Sequence, residues 1–142
     1  MDKSGLKKEI NITYKVEKNL PIKQIQSLYK SINWKEKTKE TLDEYLEKSI
    51  VVISAWHNNW LIGIARATTT SSKEVIIWDV AVRPQYQKMG IGSKIMKCML
   101  TILDDYGVPV VTLYADPGTE NFYEKFGFVP HKTRLLAMTR NI

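Results

Sequence analysis

The sequence predicts a single-domain α/β fold, with a mixed and mostly antiparallel sheet flanked by about four helices. Three observations carry this expectation. Three strand-like runs follow one another between Ile50 and Val82 with short turns between them, the signature of an antiparallel meander. The third run leads through a glycine-bearing turn into a helix and then a further strand, a crossover that makes the last pair parallel. Two segments of helical spacing precede the meander. The length of 142 residues suits one domain over 1–142, with residues 1–9 expected to be flexible.

Ile10, Ile12, Tyr14 and Val16 alternate with polar residues and predict a first strand. Asn19-Leu20-Pro21 breaks it, and Pro21 suits a first helical turn. Ile22, Ile25, Leu28, Tyr29 and Ile32 then recur at helical spacing. Ser31 to Thr38 reads as a loop around Trp34. Thr38, with Glu40 in the first turn, starts a second helix that Leu42, Tyr45 and Leu46 carry to about Lys48. Ile50 to Trp56 is rich in β-branched residues and predicts a strand. His57-Asn58-Asn59 turns the chain, since Asn tolerates positive φ. Trp60 to Thr69 returns, Thr70 to Lys73 turns again, and Glu74 to Val82 is apolar enough to expect burial on both faces. After the glycine turn, Ile91, Ile95, Met96, Met99, Ile102 and Leu103 form the buried stripe of a helix ending near Tyr106. Gly107 suits its C-cap, and Pro109 forbids continuation. Val110 to Ala115 is the next strand, Asn121 to Phe126 a short helix ended by Gly127, and Phe128-Val129 with Leu135 to Arg140 a closing hairpin.

Two stretches carry chemistry. The first is Gln87-Lys88-Met89-Gly90-Ile91-Gly92-Ser93, five residues beyond Val82. Glycines let the backbone approach a bound group closely. The helix that follows begins with unpaired N–H groups and the positive end of its dipole, a place for an anion such as a phosphate. The spacing fits neither a Walker loop nor a dinucleotide fingerprint. The second stretch is Asn121-Phe122-Tyr123-Glu124-Lys125-Phe126-Gly127-Phe128.

The first stretch resembles the Gln/Arg-x-x-Gly-x-Gly/Ala motif of the GCN5-related N-acetyltransferases (GNAT). The second resembles that family's closing Phe-Tyr pair followed by Gly-Phe. The likeness runs from about Tyr14 to Arg140. It implies a sheet whose central parallel pair splays apart to admit acetyl-coenzyme A as co-substrate. The main chain of Val80 and Val82 would bond the pantetheine arm, and the N–H groups of Gln87, Lys88, Met89, Gly90, Ile91, Gly92 and Ser93 the pyrophosphate. A bulge near Ala81 would aim an N–H at the thioester carbonyl, where negative charge develops as an amine attacks. Tyr123 would protonate the departing thiolate.

The sequence departs from the family at two places. Positions where members carry a basic Glu or His are Trp78 and Ile76 here, and Glu74 lies at the strand's far end. Asp79 is then the candidate base or water-holder, although strand alternation turns it to the other side unless the bulge redirects it. The usual Asn and Ala before the tyrosine are Asp116 and Thr119, and a carboxylate accepts rather than donates. Asp116 and Thr119 stand at the arm's expected position, with Asn121 as a substitute. In this family the first two helices and the hairpin ends build the acceptor pocket, so Tyr29, Trp34, Trp56 and Trp60 are candidates to line it.

The implied activity is transfer of acetyl to a primary amine, on a small molecule or a protein, by direct attack in a ternary complex. A non-catalytic acyl-coenzyme A sensor or scaffold is the alternative. Net charge is +6 with dispersed Lys and Arg, and no nucleic-acid-binding signature is present, so no nucleic-acid partner is expected. No apolar run approaches the ~20 residues of a membrane span, and no h-region opens the chain. One cysteine, Cys98, fits a reducing, cytoplasmic setting. Two histidines, His57 and His131, give no metal-ligand pattern, so no metal is expected. A C-terminal edge strand would allow a homodimer as well as a monomer.

Overall fold

A computed structural model of the chain describes residues 10–131 and 138–141. The elements are β1 (Ile12–Val16), α1 (Ile22–Ser31), α2 (Lys39–Lys48), β2 (Val51–His57), β3 (Trp60–Ser71), β4 (Glu74–Val82), a 3-10 turn (Pro84–Tyr86), α3 (Ile91–Asp105), β5 (Val110–Leu113) and α4 (Glu120–Glu124). One sheet runs β1-β2-β3-β4-β5, antiparallel up to β4 and parallel between β4 and β5.

The sheet is covered on both faces. Ile91, Ile95, Met96, Met99 and Leu103 of α3 pack on Ile53, Ile62, Val75 and Ile77 on one side. Ile25 and Leu28 of α1 and Leu42 and Leu46 of α2 pack on Val52, Leu61 and Ile64 on the other. This explains why β2 and most of β3 are buried without alternation. Helix α3 settles closely onto β3 at Gly63, where a Cβ would stand 2.8 Å from Ile95 Cδ1. Thr38 caps α2 by accepting the Thr41 N–H at 3.1 Å. Thr38→Ala is expected to lower stability by about 1 kcal/mol, read as a fall in the urea midpoint at unchanged slope.

Strand β4 differs from expectation. Its first half buries Val75 and Ile77 but leaves Ile76 and Trp78 half-covered. Beyond Trp78 the register against β3 breaks. Ile64 pairs with Ala81 and Arg66 with Trp78, so Ala65 alone faces both Asp79 and Val80. That is a bulge, and Asp79 takes the left-handed conformation at φ 58°. The extra residue inverts the strand's alternation. Val80 and Val82 join the α3 side, as Val75 and Ile77 do, while Ala81 joins the α1 side.

The first strand of the expected closing hairpin requires a correction. Phe128 and Val129 form no strand, because Gly127 turns left-handed at φ 93° and the Phe128 N–H bonds back to the Tyr123 carbonyl at 3.4 Å. Leu135 to Ala137 lie outside the described residues, and Met138 to Arg140 are irregular. Among the described residues, no helix is long and apolar enough to cross a membrane.

Candidate active site

Pairing between β4 and β5 ends with Ile77 opposite Leu113, yet β4 continues to Val82. From Trp78 onward its outer edge has no strand partner among the described residues. A cleft of about 490 Å³ opens at this divergence. Trp78, Asp79 and Val80 line it from β4, Asp116 and Thr119 from the segment leading into α4, and Tyr123 from α4 itself. Tyr29 closes it from α1, while Asn33, Trp34, Lys35 and Lys37 border it from the α1–α2 loop. Tyr29 and Trp34 pack with ring centroids 5.1 Å apart, so two of the expected pocket aromatics meet there. Trp56 and Trp60 do not line the cleft. Trp56 is buried and donates to Ser54 Oγ at 2.9 Å, and Trp60 lies over the Arg83 guanidinium at 4.3 Å.

The bulge turns Asp79 into the cleft, away from the direction that plain alternation gives it. Arg66 Nε donates to Asp79 Oδ2 at 2.7 Å. Burial, and then the Asp79 carboxylate beside it, hold the Tyr29 hydroxyl well above the ordinary phenol range. The folded state therefore retains the Tyr29 proton where the unfolded chain releases it. That contribution is present below about pH 10 and is lost as pH rises beyond. Tyr29→Phe is expected to shallow the alkaline fall in stability, read as urea midpoints on either side of that pH.

Tyr123 faces the same cleft. It packs edge-on against Phe122 at 4.9 Å and Phe128 at 6.2 Å, which fixes its ring. Burial, reinforced by the charge of Asp116, pushes its hydroxyl above the usual value, so it holds its proton at neutral pH. Thr119 is tied to Asp116 through bonds from its N–H at 3.0 Å and its hydroxyl at 2.6 Å to the Asp116 carbonyl. Asp116 itself lines the cleft. Asn121 lies on the exposed side of α4 and does not line the cleft.

The glycine turn lies beside this cleft rather than in it. Lys88 and Gly90 are both left-handed, at φ 63° and 81°, and no side chain caps α3. Such a turn presents successive N–H groups as an anion-binding concavity. Nothing lies within 4 Å of where a Gly90 Cβ would stand, and a Gly92 Cβ would touch Phe122 at 3.4 Å. The turn is thus open at Gly90 and joined to the Tyr123 helix at Gly92. Gln87 Nε2 donates to the Val82 carbonyl at 2.9 Å, tying the turn to β4. Ile91 is buried, and Met89 is exposed.

Two basic residues escaped the sequence reading. Arg66 is a lone charge within the apolar run Leu61 to Ala67, and that isolation was its signal. Lys125 donates to Ser93 Oγ at 2.8 Å and lies over the Phe122 ring at 4.7 Å. It brings a cation to the first turn of α3, which spacing alone does not reveal. Among the described residues, no group of three or more His, Cys, Asp or Glu could hold a metal ion.

The model of the acetyltransferase (GNAT) family matches residues 19–128. An uncharacterized ycf52-like N-acetyltransferase of Prochlorococcus marinus is 32% identical over 115 residues, covering 78% of this chain and 64% of that protein. The ycf52 N-acetyltransferase of Porphyra purpurea, also uncharacterized, is 30% identical over 134 residues, covering 91% and 77%. This chain therefore spans just under two thirds of the Prochlorococcus relative. A GNAT-family acetyltransferase structure from Streptococcus pneumoniae superposes with a TM-score of 0.74 at 27% identity, covering 92% of this chain and all of that one. The family match over most of the described chain, together with the divergent β4–β5 pair and the glycine turn at α3, shows that the chain belongs to the GNAT acetyltransferase family.

Proposed function

We propose that this domain transfers the acetyl group of acetyl-coenzyme A to a primary amine, with both substrates bound together in the cleft. One observation carries the reading. Tyr123 and Asp79 line a single cleft, beside a strand edge without a partner among the described residues and an uncapped helix start. Acetyl-coenzyme A, the family's co-substrate, supplies an activated thioester.

The residues present fit that group. The open left-handed turn offers the N–H groups of Gln87 to Ser93 to a pyrophosphate, with the Lys88 and Lys125 ammonium groups nearby. The free edge of β4 offers the main chain of Val80 and Val82 to an extended amide arm, much as a strand adds to a sheet. Asp116 and Thr119 border the arm's path. Asp79, bonded by Arg66 and lying beside the Tyr29 hydroxyl, presents its carboxylate to the ammonium of the acceptor and takes its proton. Tyr123 delivers its hydroxyl proton to the departing sulfur, which its raised pKa keeps available at neutral pH. Among the described residues, no Cys or His lines the cleft, which favours direct attack by the amine over a covalent relay. The acceptor, small molecule or protein, enters past Trp34 and the α1–α2 loop. The setting is cytoplasmic in this reading.

A thiol-release assay with acetyl-coenzyme A against a broad amine panel, peptides included, tests the proposal. Release dependent on particular amines supports it. Tight coenzyme A binding with no release for any amine would convert the domain into an acyl-coenzyme A sensor. No binding at all would overturn both.

A further inference from the structure

We propose that Arg66 is a positioning residue for acetyl transfer, fixing the bulge residue Asp79 so that its carboxylate stays aimed at the acceptor amine. The inference rests on the transfer reading above and goes beyond it, since Arg66 neither lines the cleft nor belongs to either motif.

Arg66 is only 8% exposed, between Ala65 and Ala67 of β3. A buried guanidinium is costly unless it is paired and its other surfaces are occupied. Here its Nε bonds Asp79 at 2.7 Å, its Cζ lies 4.2 Å from the centre of the Tyr45 ring, and the Trp78 ring lies 5.9 Å away. Helix α2, strand β3 and strand β4 thus converge on one charge. The partner it grips is the extra residue of the bulge. Asp79 is left-handed at φ 58°, a region that non-glycine residues occupy seldom and Asp more readily than most. The pair lies across the register break, between Arg66↔Trp78 and Ile64↔Ala81. Loss of the guanidinium removes the side-chain bond that orients Asp79 there. The carboxylate is then free to rotate from the acceptor's path, and displacements near an ångström in a reacting group are expensive.

Such a role separates from a merely structural one. Arg66→Met keeps the length and the stacking surface but loses the charge and the bond. It is expected to lower kcat about 10- to 100-fold, with the KM for acetyl-coenzyme A little changed. Arg66→Lys is expected to recover part of that loss. The decisive readout is coupling, because in an Asp79→Asn background Arg66→Met should cause little further fall. The idea is overturned if Arg66→Met leaves kcat unaltered, or if its loss multiplies fully with that of Asp79→Asn. Should Arg66→Met fail to fold, Arg66→Lys compared in the two backgrounds decides by the same criterion. A wild-type protein that turns over no amine, while its coenzyme A binding is intact, overturns the transfer reading and this one with it. A wild-type protein that turns over amines with Arg66 replaceable overturns this one alone.

Discussion

Tyr123→Phe is expected to lower kcat by about 10²- to 10⁴-fold, the usual weight of a positioned general acid, while leaving coenzyme A affinity unchanged. The substitution removes one hydroxyl and nothing else. The edge-on contacts with Phe122 and Phe128 are made by the ring, which Phe retains, so the helix and its junction with Gly92 persist. The chemistry lost is donation of a proton to the departing thiolate. Burial and the Asp116 charge raise the Tyr123 hydroxyl pKa, so the acid form is complete at neutral pH and persists beyond the ordinary phenol value of about 10. The sign is specific. Ionisation of Tyr123 should cause no loss of rate below that value, and any alkaline limb it produces should lie above it. Steady-state kinetics across pH, with calorimetric titration of coenzyme A into both proteins, checks each part. Unchanged turnover in the Phe variant would remove Tyr123 from the proton transfer.

Gly90→Val is expected to raise the Kd for coenzyme A by about 10- to 100-fold, with kcat at saturation close to wild type. The reason is conformational rather than steric. Nothing lies within 4 Å of the missing Cβ, but Gly90 has φ +81°, where a β-branched residue is strained by about 1–3 kcal/mol. The turn relaxes, and the N–H groups at the start of α3 no longer converge on one anion. Gly90→Asn should restore most of the affinity, because Asn tolerates the left-handed region. Equal damage from Val and Asn would point to lost space instead of lost geometry. Tyr123 and Asp79 lie on other segments, so the loss should fall on binding rather than on turnover.

The sheet and α3 were legible because their signal is local. Ile91, Ile95, Met96, Met99 and Leu103 recur on one helical face and are buried there. Asn58 takes the positive φ expected of a hairpin turn, at 55°. The glycine turn was legible for the same reason, since Gly90 must adopt a conformation few residues reach. Asp79 was not fully legible. Its direction depends on a register break against β3, anchored by Arg66, which lies 13 residues away in sequence. Alternation along β4 alone assigns it the wrong face. Trp56 and Trp60 show the converse limit, because an aromatic ring in sequence carries no direction. The first is buried in the core, and the second covers the Arg83 guanidinium. The expected strand at Phe128-Val129 failed at Gly127, which turns the chain so that Phe128 packs back on Tyr123. Phe128 serves that contact, while Val129 is exposed.

The most direct test of the cofactor reading is amide NMR of the wild-type protein titrated with coenzyme A. The largest shifts are expected at Gly90, Ile91, Gly92 and Ser93 and along the free edge of β4 at Val80 and Val82. Smaller shifts should appear at Tyr123, and β1 should stay silent. Saturable shifts confined elsewhere, or none at millimolar coenzyme A, would contradict the assignment of this turn and strand edge as the cofactor's seat.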